Sequence, residues 1–240
     1  MKKLLFVLFA FLTTNTFSQK WETIKGDGQV KKETRQVSDF TSVSTHGAMD
    51  VGISYGNSNS ITVEADENLL PYIETSVDNG RLTIQPKMNA NLKSRSKMVV
   101  YISMTKINFL KLSGSGNING KGDFTSDSQT EMSISGSGNI NLNFDKFQDL
   151  DLSISGSGNL TLKGNDVNTI NAKISGSGNI DCSETKSNDV DAKINGSGNV
   201  KVYAQNSIDA KIAGSGNVFY KGDADKISRK VIGSGRVVKM

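Results

Sequence analysis

The chain has 240 residues, a formal net charge of +4 at neutral pH, one histidine and one cysteine. Cys182 therefore has no intrachain disulfide partner, and His46 alone cannot build a histidine-based metal site or a catalytic triad. The charge is modest and few aromatic residues stand among the basic ones, which argues against nucleic acid as a partner.

The N-terminus has the pattern of a secretory signal peptide. Lys2 and Lys3 precede an apolar run at residues 4–12, and a polar stretch follows. We predict a signal peptide at 1–18, and its apolar run is too short to span a bilayer. No later stretch resembles a membrane-spanning segment, so we expect an exported protein in the periplasm, at the cell surface or outside the cell.

The region before residue 110 is β-rich but irregular. Residues 19–36 are polar and are predicted to be extended or loosely held, whereas residues 37–109 alternate between apolar and polar side chains, as strands do. One helical turn, capped by Asp66 and limited by Pro71, is expected within this second stretch.

Gly47 belongs to a degenerate copy, HGAMDVGI, of a motif that is regular later in the chain. The motif recurs in forms such as KISGSGNI and KINGSGNV, and 67 residues separate Gly47 from the next copy, about three repeats' worth of chain. The first glycine of the regular copies recurs at intervals of 22, 20, 20, 20, 18 and 19 residues, at Gly114, Gly136, Gly156, Gly176, Gly196, Gly214 and Gly233. A period near 20 is typical of a solenoid coil and is too short for a propeller blade.

Aliphatic residues flank these glycines at alternate positions. They stand two positions before and four positions after the glycine, from Leu112 and Ile118 in the first regular copy to Val231 and Val237 in the last. This period of two predicts two half-buried strands per copy, without the helices of βαβ units. The sequence therefore predicts an all-β fold, a parallel β-helix (solenoid) with coils of about 20 residues, regular over 110–240.

The glycines and asparagines of the motif are interpreted as structural. Glycine permits the positive φ and the close backbone approach that a stacked corner requires. Asparagine amides at one fixed place can hydrogen-bond to their stacked neighbours. These amides form a predicted ladder of Asn117, Asn139, Asn159, Asn179, Asn199 and Asn217.

The last coil carries charge where other coils are apolar or amide, at Arg229, Arg236 and Lys239. An exposed end needs such charge, because an open β edge would otherwise recruit another chain. This favours a monomer or a defined homo-oligomer over a third alternative, a self-assembling fibre subunit of the curli type.

An acidic row and a basic row recur side by side before the glycines. The acidic positions are Glu131, Asp151, Asp191 and Asp209. Two positions later come the lysines, which form the candidate face for a glycan or another partner: Lys173, Lys193, Lys211 and Lys230. We interpret the two rows as a mutually neutralising surface, and contact with an anionic glycan is the alternative. Neighbouring carboxylates on a β-helix also keep a polysaccharide lyase or hydrolase open as an alternative function.

The block that begins FTSVSTHGAMDVGI at Phe40, followed by serial GSGNI corners, resembles the bacterial family of autotransporter adhesin head domains called GIN domains. The resemblance extends to Val238. It implies an exported β-helical protein with an adhesin-like role, and it brings no catalytic residues. We therefore expect a non-catalytic surface protein with no cofactor and no metal, whose partner is an extracellular glycan or another surface protein.

Overall fold

The computed structural model describes residues 22–56, 60–126 and 128–240, so the predicted signal peptide lies outside the described residues. A 3₁₀ helix spans Glu67–Tyr72. The other elements are strands, namely β1 Glu22–Lys25, β2 Val30–Gln36, β3 Ser42–Gly47, β4 Asp50–Tyr55, β5 Ser60–Asp66, β6 Ile73–Asp78, β7 Arg81–Pro86, β8 Ala90–Lys93, β9 Val99–Met104, β10 Phe109–Gly114, β11 Asn117–Lys121, β12 Thr130–Gly136, β13 Asn139–Asn143, β14 Asp149–Gly156, β15 Asn159–Lys163, β16 Val167–Gly176, β17 Asn179–Gly196, β18 Asn199–Gly214, β19 Asn217–Lys221, β20 Lys226–Gly233 and β21 Arg236–Lys239.

Equivalent strands of successive coils pair in parallel, and this pairing confirms the predicted β-helix. β10 pairs with β12, β12 with β14, and β14 with β16, with the corner glycines directly opposite one another. The same register continues through β17 and β18 to β20, so that Gly214 lies opposite Gly233. On the other side of the corner, β11, β13 and β15 stack in the same way.

The aliphatic rows on both sides of the corner lie in the interior of the solenoid, together with aromatic side chains such as Phe124 and Phe147. Leu112, Ile134, Ile154 and Ile174 stack on one another and are at most 2% exposed. In the terminal coil the residues of these rows become partly exposed to solvent, as at Val231, which is 37% exposed. Stacking therefore gives one continuous apolar core along the axis.

Both glycines of each corner are required by the close stacking of the coils. Gly176 has φ +128°, and a Cβ on it would lie 2.3 Å from the carbonyl oxygen of Gly156 in the preceding coil. A Cβ on Gly178 would lie 2.4 Å from the Gly158 oxygen. No other residue type fits this space, which explains why all seven regular copies of the motif keep glycine at both positions.

The asparagine ladder is confirmed. Each amide nitrogen donates a hydrogen bond to the side-chain oxygen of the preceding coil, from Asn139 to Asn117 at 2.8 Å through to Asn217 to Asn199 at 3.0 Å. The ladder begins on a carboxylate, because Asn117 Nδ2 donates to Asp50 Oδ1 at 2.8 Å.

The N-terminal region differs from expectation in two places. Gly47 lies directly opposite Gly114, so the residues between them do not form three coils between these two corners. They include β7 and β9, which pair in parallel with β3 and β4, and the outer strands β5 and β6, which pair antiparallel with β9 and β7. β2, which precedes Gly47 in the chain, pairs antiparallel with β5. The helical turn exists as the 3₁₀ helix with Pro71 inside it, but Asp66 makes no capping hydrogen bond.

Asp66 instead accepts hydrogen bonds from the loop after β8. Its Oδ2 accepts hydrogen bonds from the Arg95 backbone N–H at 2.8 Å and from Ser94 Oγ at 3.0 Å. Burial alone would raise the pKa of this carboxyl, but the hydrogen bonds from Arg95, Ser96 and Ser94 hold the pKa below its usual value.

The described part of the polar segment 19–36 is extended rather than loosely held, since it contains β1 and β2. Arg35 of β2 reaches across the N-terminal end of the solenoid and donates to the carbonyl oxygens of Ile73 at 2.6 Å and Leu70 at 2.9 Å. No helix in the described ranges is long and apolar enough to cross a membrane.

Candidate functional site

The four lysines singled out in the sequence stand in one row on the outside of the solenoid. Lys173 lies opposite Lys193, Lys193 opposite Lys211, and Lys211 opposite Lys230. The same row contains Lys111, which is separated from Lys173 by two serines. We call this outer surface of β10, β12, β14, β16, the C-terminal parts of β17 and β18, and β20 the lysine face.

Carboxylates of the acidic row pair with three of these lysines. The distances are 3.6 Å from Lys173 Nζ to Asp151 Oδ1, 3.0 Å from Lys193 Nζ to Asp191 Oδ2, and 2.6 Å from Lys211 Nζ to Asp209 Oδ2. The hydrogen bond from Lys211 is the main reason that the pKa of the Asp209 carboxyl lies below its usual value. These pairs are about half-exposed, so each contributes little stability, but together they leave little net charge on this face.

A row of serines runs beside the lysines. Ser135, Ser155 and Ser175 are exposed one position before the corner glycine, and Ser133 and Ser153 are half-buried two positions earlier. Within the part of the chain that the structure describes, none of these five hydroxyls has a hydrogen-bond partner. The serines and lysines together line a groove of about 430 Å³ along the lysine face.

The face with the asparagine ladder offers a second groove, of about 420 Å³. Its walls include Thr161, Asp181, Lys201 and Phe219 beside the ladder amides. Those amides already bond to one another along the ladder. The serine hydroxyls on the lysine face are therefore the freer hydrogen-bonding groups.

The remaining reactive side chains are poorly placed for chemistry. Among the described residues, no group of three or more His, Cys, Asp or Glu side chains could hold a metal ion. Cys182 is fully buried, and burial raises the pKa of its thiol. Partial burial and then Lys111 lower the pKa of His46, whose Nε2 lies 3.3 Å from Ser44 Oγ. Asp209, held ionised by Lys211, is a poor general acid near neutral pH.

Sequence reasoning identified the lysine and acidic rows but missed Lys111 and the serines. The serines carried a signal, because the motif SISGSG repeats them at fixed positions. Their place next to the glycines favours an interpretation as part of the corner, whereas in the structure Ser155 and Ser175 line the groove beside the lysines.

A family model described as "Putative auto-transporter adhesin, head GIN domain" matches residues 39–224. No curated protein matches the chain. Among solved structures, a "putative adhesin" from Bacteroides fragilis is similar with a TM-score of 0.81 and 20% identity, covering 90% of this chain and 100% of that one. A "putative lipid binding protein" from Parabacteroides distasonis has a TM-score of 0.73 and 25% identity, covering 91% of this chain and 100% of that one.

A third similar structure, a "putative adhesin" from Parabacteroides merdae, has a TM-score of 0.66 and 24% identity, covering 91% of this chain and 99% of that one. These likenesses agree with the solenoid fold.

Proposed function

This chain belongs to the head GIN domain family, and we propose that it is an exported, adhesin-like protein without catalytic activity that binds an extended glycan along its lysine face. The observation that carries this proposal is the row of unpartnered serine hydroxyls in the groove. A glycan presents hydroxyls along its length, and equivalent side chains on a β-helix recur about every 4.8 Å along the axis. Such a row can make several hydrogen bonds to one extended chain.

Recognition on this face would depend on hydrogen bonds more than on net charge. Asp151, Asp191 and Asp209 already pair with lysines of the row, so the field available to an anionic polymer is small. We therefore expect an uncharged or weakly charged glycan, and binding that changes little with added salt.

The experiment is a screen of the purified protein on arrays of cell-envelope and surface glycans, followed by calorimetric titration of the best ligand. Ser155→Leu together with Ser175→Leu fills the groove and is expected to abolish binding. The matched control replaces Ser157 and Ser177 with leucine, since both are exposed at the same corners but do not line the groove.

A second variant separates hydroxyl recognition from charge. Lys173, Lys193 and Lys211, changed together to glutamine, keep a hydrogen-bond donor, so binding is expected to persist within roughly threefold. Unchanged affinity in the serine variant would refute the groove as the site. Loss of binding in the lysine variant, with strong salt dependence in the parent, would instead assign the site to the lysine charges and an anionic ligand.

Absence of catalysis is tested on the same glycans. Asp191→Asn with Asp209→Asn would abolish turnover if the acidic row were catalytic. Formation of unsaturated sugar products or of new reducing ends by the parent, and their disappearance in this double variant, would overturn the proposal of a binding protein.

A further inference from the structure

Among the described residues, the last coil has an unpaired strand edge. β20 pairs only with β18, and β21 only with β19, in the described chain. All eight residues of β20 are exposed. The outer side of β20 therefore presents backbone N–H and C=O groups without partners, which is the usual template for an added strand.

The inward side chains of β20 include Ile227 and Val231 with Arg229 between them, and the outward side chains include Lys226 and Lys230. Ile227 and Val231 continue the buried rows of the preceding coil and are 43% and 37% exposed. Each lysine directly precedes one of these apolar residues and points to the outside, Lys226 opposite Ser207 and Lys230 opposite Lys211. A strand added here would place apolar residues over the open end of the core and its alternate residues beside the lysines.

The charge of the edge selects the partner. β20 and β21 carry five basic residues, and a carboxylate pairs with one of them in the described structure, Asp223 with Lys239 at 3.5 Å. The same edge of a second copy would bring like charges together, which disfavours tail-to-tail pairing.

The opposite end of a second copy also fits poorly. On one side of the solenoid its outermost strand is β6, which pairs with β7. On the other side it is β2, which lies beyond β5, itself beside β9. One side therefore extends a strand further than the other, and β2 would collide with β21 if β20 paired with β6.

We propose that this edge binds an extended acidic segment of another polypeptide, which adds as a strand along β20. The segment alternates acidic residues, which face Lys226 and Lys230, with apolar residues, which cover Ile227 and Val231. The sequence of β6, IETSVD, has this pattern. If this sequence lies antiparallel to β20, its aspartate faces Lys226 and its glutamate faces Lys230. Its valine and isoleucine then lie opposite Ile227 and Val231, respectively.

A synthetic IETSVD peptide with blocked ends is therefore the probe, titrated into the full chain by NMR chemical-shift mapping. We expect saturable shifts confined to the two C-terminal strands. Lys226→Glu with Lys230→Glu should weaken binding by about tenfold or more, because two attractive cross-strand pairs become repulsive. The matched control, Lys25→Glu with Lys93→Glu, makes the same charge change on exposed lysines of β1 and β8 at the other end and should leave binding unchanged.

A peptide N-methylated at alternate residues tests strand pairing itself, since it keeps every charge but loses the backbone donors that face β20. Loss of binding by this peptide supports the proposal. Equal binding of the methylated and unmethylated peptides would reduce the contact to charge attraction and overturn it. Absence of binding at millimolar peptide would also overturn the proposal. A third contrary result would be a parent protein that forms oligomers which the double variant Lys226→Glu with Lys230→Glu does not form.

Discussion

Replacement of Gly176 by alanine tests the stacked corner directly. Gly176 has φ +128°, and the new Cβ would stand 2.3 Å from the carbonyl oxygen of Gly156. Contacts under 3.0 Å essentially never occur for a real Cβ. The coil must therefore move away from its neighbour, and it cannot do so without stretching the hydrogen bonds at the corner.

The cost has two parts. Alanine in this region of φ costs about 1–3 kcal/mol. The Gly156 oxygen also accepts hydrogen bonds from the backbone N–H groups of Ser177 at 2.9 Å and Gly178 at 3.1 Å, and weakening both costs about 1 kcal/mol each. The sum is about 3–5 kcal/mol, which for a chain of this size lowers Tm by roughly 10 °C.

Gly80→Ala is the matched control, because it separates backbone strain from the steric clash. Gly80 has φ +72°, and a Cβ there would meet no atom within 4 Å. Its cost is confined to the backbone, about 1–2 kcal/mol. Thermal unfolding followed by far-UV circular dichroism measures both variants. Equal losses of stability in the two would refute the argument that coil stacking, rather than φ alone, dictates the glycine.

Three other substitutions test the apolar interior, the asparagine ladder and the hydrogen bonds of Asp66. Ile174→Asp places a carboxyl group at a position where the native side chain is 2% exposed. We expect the free energy of unfolding to fall by several kcal/mol, because a buried carboxyl without a partner is costly even after its pKa rises. The cooperative thermal transition should then be lost. Asn159→Leu removes the ladder bonds to Asn139 and Asn179, both within 2.9 Å, and should cost about 1–3 kcal/mol in chemical denaturation. The pKa of Asp66 is depressed in the folded state, so its contribution to stability is present above the unfolded pKa near 3.8 and is lost as pH falls through the folded value. Asp66→Asn should therefore be less stable than the parent at neutral pH and should converge with it in acid.

The regular coils were predictable because each coil repeats the same physical demands. The row that contains Ile174 and the corner that contains Gly176 are both visible in the sequence, since stacking requires the same residue type at the same offset. The antiparallel strands β2, β5 and β6 have no such repeat. Their place is fixed by contacts far apart in sequence, such as those of Arg35 with Leu70 and Ile73, and nothing in the local pattern reveals them.

In the candidate site, the charged rows were predictable from the sequence, but the free serine hydroxyls were not. Charged residues such as Lys193 and Asp191 attract notice in a sequence, and their register follows from the repeat. Whether a hydroxyl such as that of Ser155 is already bonded depends on its surroundings in three dimensions, which the sequence does not specify. The structure shows that these hydroxyls have no hydrogen-bond partner among the described residues and that they share one groove.

At the outward positions of a β-helix, residues can be replaced by others that bind a partner without disturbing the fold. The inward rows and the corner glycines are constrained by packing, so they are nearly constant along the chain. The outward position before the corner glycine is serine at 135, 155 and 175, and then becomes Asn195, Ala213 and Ile232. Stacking does not require this change, because all six residues occupy the same place in their coils. The change ends the serine row on its C-terminal side and leaves apolar and basic side chains on the last coil, so the two binding sites that we propose lie on different coils of one solenoid.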